Sequence, residues 1–84
     1  MTLLTIQHPI GLVAVDRDPD SGQILSYPAD PAPLGGRAVC ALLDADGSVY
    51  FVEDGFPCDE VEAGEWAEPM RSALLVAVET GVAS

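Results

Sequence analysis

Asp44-Ala-Asp-Gly47 lies between two apolar runs, Arg37 to Leu43 and Ser48 to Glu53, and this arrangement leaves the chain little choice but a β-hairpin. Glycine accepts the positive φ of a tight turn, and aspartate side chains bond the neighbouring amides. In the second run Val49 and Phe51 share one face, and Tyr50 and Val52 share the other. The same punctuation recurs earlier. Leu3 to His8 and Leu12 to Val15 are separated by His-Pro-Ile-Gly, and Asp18-Pro-Asp-Ser-Gly22 turns the chain back into Gln23 to Tyr27. Between the two hairpin regions, Tyr27 to Gly36 carries three prolines and two glycines. It reads as an irregular Pro/Gly-rich linker at 28–36 within a single domain, 1–84.

The C-terminal third changes period. Asp54 to Glu68 is acidic and irregular in pattern, with Gly55, Pro57 and Gly64. Pro69 then suits the first turn of a helix and Gly81 suits its C′ position. Met70, Ala73, Leu74, Ala77 and Val78 fall on one helical stripe, and 12 residues of helix span about 18 Å. Leu75 and Val76 lie off that stripe, so Ala73 to Val78 also suits a last strand. The fold class expected is α+β: a small antiparallel sheet of four to five strands with one C-terminal helix. In a simple meander the loops at 18–22 and 44–47 share an end, bringing Asp16, Asp18, Asp20, Asp44 and Asp46 near one another. A crossover at the proline linker would separate them.

Charge narrows the choice of partner. The 84 residues hold 14 Asp and Glu against three Arg and no Lys, for a formal charge of −11. With 49% hydrophobic residues and a mean hydropathy of +0.27, this is a folding composition and not a disordered acidic tail. Three cations do not offset such a charge against a polyphosphate, which excludes direct binding to nucleic acid or to an anionic membrane face. The N-terminus has no basic region ahead of an apolar core, and the longest apolar run, Ala73 to Val78, is far too short to span a bilayer. A cytoplasmic protein with Cys40 and Cys58 reduced is expected.

The densest charge is Glu53 to Glu68, with seven carboxylates in 16 residues and no base. Asp59, Glu60, Glu62, Glu65 and Glu68 form the candidate partner-binding surface. Trp66 is either an aromatic anchor within that charged rim or a core residue beside Met70. Asp16, Asp18 and Asp20 occupy positions 1, 3 and 5 of a calcium-like loop, but Gly22 falls at position 7 and Tyr27 at 12. A self-stabilised Asp-rich turn is therefore expected there. His8, Cys40 and Cys58 lack zinc-ligand spacing. The acids following Cys58 disfavour a thiolate nucleophile. Arg17, Arg37 and Arg71 are expected to pair internally. No catalytic residue, metal or cofactor is expected.

In size, charge and strand-plus-helix profile the chain resembles small acidic phage-encoded inhibitors of bacterial defence, the anti-CRISPR and other DNA-mimic proteins. That resemblance implies a non-catalytic, stoichiometric blocker acting in a bacterial host cell. Its partner would be the basic surface of a nucleic-acid-binding complex, such as the DNA-binding site of a CRISPR effector. The alternative is a small accessory or assembly module, monomeric or dimeric, whose acidity serves solubility. Its interface would be apolar, from a sheet edge or from the helix face bearing Leu75 and Val76.

Overall fold

Alternating apolar residues and tight turns generate one antiparallel sheet in a computed structural model that describes residues 2–30 and 39–83. Its strands are β1 (Thr2–His8), β2 (Gly11–Arg17), β3 (Ile24–Asp30), β4 (Val39–Leu43), β5 (Val49–Glu53) and β6 (Phe56–Cys58). They lie side by side in chain order, β1 to β6. The sheet thus has six strands, not four to five. The extra strand arises because Asp54 and Gly55 both adopt positive φ, 52° and 87°, and close a two-residue turn with Glu53 opposite Phe56. Such a turn matches the twist of the strands it joins.

Strand β3 also runs further than expected, through Pro28 to Asp30. The proline is tolerated because β3–β4 pairing stops at Ser26 opposite Ala41, and the β2 register shifts between Leu12 and Val13, beside it. Positions 31–36 of the expected linker lie outside the described residues. Because β3 and β4 are neighbours, the turns at 18–22 and 44–47 do share an end of the sheet. There Gln23 Nε2 donates to the Leu43 carbonyl.

After β6 come a short helix α1 (Glu60–Ala63), a 3-10 turn (Gly64–Trp66) and the C-terminal helix α2 (Ala67–Glu79). The strand alternative for 73–78 fails, since these residues lie within α2. Gly81 takes its expected left-handed conformation, φ 79°, and donates to the Val78 carbonyl at 3.1 Å. The buried stripe is Ala67, Met70, Ala73, Leu74 and Ala77. Val78, expected on it, is half-exposed, and Ala67 extends the stripe one turn in the other direction.

This stripe packs on Val13, Val15, Ile24, Ala41 and Phe51 from one face of the sheet. Met70 and Leu74 are fully buried, each stabilising the fold by about 1.5–3 kcal/mol through area removed from water. The buried Ser26 hydroxyl donates to the Met70 carbonyl at 2.9 Å and ties sheet to helix. The opposite face carries Leu12, Leu25, Tyr27, Leu42 and Val52, all half-buried, with Tyr50 exposed. There the Tyr27 hydroxyl donates to Asp16 Oδ2 at 3.0 Å; burial first, then this carboxylate, push the phenol pKa up. Among the described residues no helix is long and apolar enough to cross a membrane.

Candidate partner-binding surface

The acidic segment folds locally for reasons visible in its own residues. Asp59 is the N-cap of α1, its Oδ1 accepting from the Glu62 amide at 2.8 Å. Gly64, at φ 67°, lets the chain leave that helix and enter the 3-10 turn. Arg71 on α2 then reaches back across the segment. Its guanidinium pairs with Glu60, bonds Glu68 Oε2 at 3.0 Å and lies 5.4 Å from the centre of the Phe51 ring. The hydrogen bond that Arg71 donates to Glu60 leads the causes that raise the Arg71 pKa above its already high ordinary value.

The six residues singled out from the sequence therefore divide by role. Asp59 caps a helix, while Glu60 and Glu68 hold Arg71. Trp66 is half-buried and packs against the core, so it does not project from the charged rim. Glu62 and Glu65 are exposed, and Glu62 lines an open groove of about 350 Å³ with Glu53, Asp54, Phe56, Pro57 and Cys58.

Sequence reasoning missed the apolar part of this surface. Phe56 is 74% exposed and Val61 is 86% exposed, the two most open of the large apolar side chains described. Phe56 opens the short edge strand β6, opposite Glu53. The signal available for it was the Asp54-Gly55 dipeptide, a hairpin turn that places Phe56 directly after it. The result is an aromatic and an aliphatic side chain standing in water among carboxylates.

At the other end of the sheet the aspartates turn inward on their own loops. Asp18 Oδ1 accepts from the Asp20 amide at 2.9 Å. Asp46 Oδ1 accepts from both the amide and the hydroxyl of Ser48, at 2.9 and 2.6 Å. These bonds hold both carboxyls below the usual aspartate range, led for Asp18 by the Asp20 amide and for Asp46 by the Ser48 hydroxyl. Asp16 is engaged by Tyr27. Among the described residues no three His, Cys, Asp or Glu side chains converge as metal ligands. Cys40 sits on β4, and burial pushes its thiol pKa up, away from nucleophilic character.

Comparison of the chain with known protein families, with characterised proteins and with solved structures finds no match. Chemically, the acidic end offers a concentrated negative field, two exposed apolar side chains and an open groove lined by the edge strand β6 and Glu62.

Proposed function

We propose that this protein is a non-catalytic acidic inhibitor that docks on a basic surface of a nucleic-acid-handling protein, in the manner of DNA-mimic and anti-CRISPR proteins. Its most specific form would be a blocker of the DNA-binding site of a CRISPR effector in a bacterial cytoplasm. The observation that carries the reading is the exposure of Phe56 and Val61 within a segment of seven carboxylates. Apolar anchors surrounded by a charged rim are how interface hot spots are commonly built. The carboxylates steer a cationic partner and fix its orientation. Net like charge concentrated on so small a domain costs stability, and a basic partner offsets that cost.

The test is a pull-down from host lysate at about 0.15 M salt, beside a Glu62→Lys/Glu65→Lys variant. A nucleic-acid-binding protein is expected in stoichiometric amount, with affinity falling more than tenfold in the variant while its circular dichroism melt stays cooperative. Phe56→Ala should weaken the same complex through its dissociation rate, and the charge reversal mainly through its association rate. A partner retained equally by all three proteins would remove this surface from the interface. The assembly-module alternative draws on a different region, the uncharged opposite edge of the sheet.

A further inference from the structure

The sheet has two edges, and among the described residues only one carries devices that protect it. Strand β6 is three residues long, has Pro57 at its centre and is flanked by Asp54 and Asp59. Short length, proline and charge are the devices that keep an edge from pairing with another chain. Strand β1 has none of them over most of its length. It runs seven residues, Thr2–His8, without a charged side chain or a proline. Its one irregularity, a register shift between Thr2 and Leu4, leaves Leu4 to His8 in regular pairing with β2. No described strand pairs with its outer side.

We infer that β1 pairs antiparallel with β1 of a second copy of this chain, joining two sheets into one of twelve strands about a two-fold axis. The first 15 residues contain no Asp, Glu or Arg, so pairing here joins the parts of two −11 molecules that repel least. An isologous contact requires a patch complementary to itself, and an uncharged strand of Thr, Leu, Ile and Gln satisfies this. The turn at Pro9-Ile10 closes on His8 opposite Gly11. Alternation from that pair directs the amides and carbonyls of Ile6 and Leu4 toward β2, and those of Thr5 and Gln7 toward the open side. A two-fold axis at Thr5 then forms reciprocal Thr5 bonds and sets Leu4 against the partner's Ile6. Both side chains are only half-buried against the core, and the second copy completes their burial. His8 Nε2, shielded from water and without a hydrogen-bond partner, lies at the end of this strand.

This inference is independent of the acidic-end reading, and salt separates the two. Screening relieves repulsion between two anionic copies, so the β1 dimer tightens with salt while docking on a basic partner weakens. The experiment is sedimentation velocity on the purified full chain, from about 10 μM to about 1 mM at low and high salt. A species of twice 8.8 kDa is expected to grow with concentration and with salt. Thr5→Pro removes one outward amide and should raise the dimer dissociation constant more than tenfold. Thr5→Lys/Gln7→Lys, which keeps every amide, should do the same if the proline variant fails to melt cooperatively. Tyr50→Lys, on the open sheet face, should leave the dimer intact. A mass of 8.8 kDa at every concentration would overturn the inference. So would a dimer lost in Tyr50→Lys but kept in both edge variants.

Discussion

Residues 1–15 and 53–68 are stretches of nearly equal length that contain the two edge strands of one sheet, β1 and β6. The first has no charged side chain apart from the single histidine, and the second has seven carboxylates and no base. Both lean on the same helix-covered core: Leu4 and Ile6 from one side, Cys58, Ala63 and Trp66 from the other. Packing therefore does not distinguish them. What differs is the electrostatic work of bringing a second molecule close. At the acidic edge that work opposes the approach of another copy of the same charge, and at β1 it is smaller. A net charge of −11 describes neither edge. The charge is sorted along the chain, between one edge and the other.

The strongest test of this contrast removes what the two edges share. Leu74 is fully buried beneath the sheet, and Leu74→Ala should cost about 2–5 kcal/mol, the transfer loss plus a cavity. Urea unfolding followed by Trp66 fluorescence and by far-ultraviolet circular dichroism should shift together, because one core serves both edges. Two separated transitions would show that the acidic end folds as a unit of its own, and the comparison would become one between subdomains. A smaller and local effect is expected from Asp59→Ala, which removes the cap of α1 and should cost about 1 kcal/mol. Hydrogen exchange should quicken at the Glu62 amide and leave the Ile6 amide unchanged. Equal quickening at both would mean that α1 is not an independent part of the acidic edge.

The sequence exposed this design unevenly, for physical reasons. The turn at Asp44 to Gly47 and the return at 18–22 were readable because loop-forming residues separate runs of period two. The helix end was readable because glycine is the residue that most readily takes the left-handed position after it, and Gly81 stands there. Pro28 pointed to a linker too early, since a proline is destructive to a strand only where its missing amide is needed. Asp54-Gly55 was obscured by the acids around it, so β6 and the exposed Phe56 were lost together. Trp66 shows the limit of reading by neighbours. Its sequence neighbours are acidic, but the turn that begins at Gly64 rotates it toward the core. The outer face of the sheet was implicit in alternation alone, yet which face the helix covers is fixed by tertiary packing.

The smallest effect expected belongs to neither edge but to the turns between strands, and it shows whether acid sensitivity follows charge density. Asp18 and Asp46 have carboxyl pKa values below the ordinary 3.8 because local amides and hydroxyls donate to them. A group whose folded pKa is depressed gives up its contribution as protons bind. Stability from these two turns is therefore complete above 3.8 and falls away as the pH drops below 3.8 through the lower folded values. Asp18→Asn/Asp46→Asn keeps an accepting oxygen at each position but nothing to titrate. Urea unfolding from about pH 5 to about pH 2 should give this variant a shallower decline than the unaltered chain. Asp46 is exposed and Asp18 only partly covered, so the difference should be small beside that of the core substitution. Identical declines would place the acid response elsewhere among the carboxylates. A shallower one would show that aspartates bonded within their own turns, and not the densest run of charge, set how the fold responds to acid.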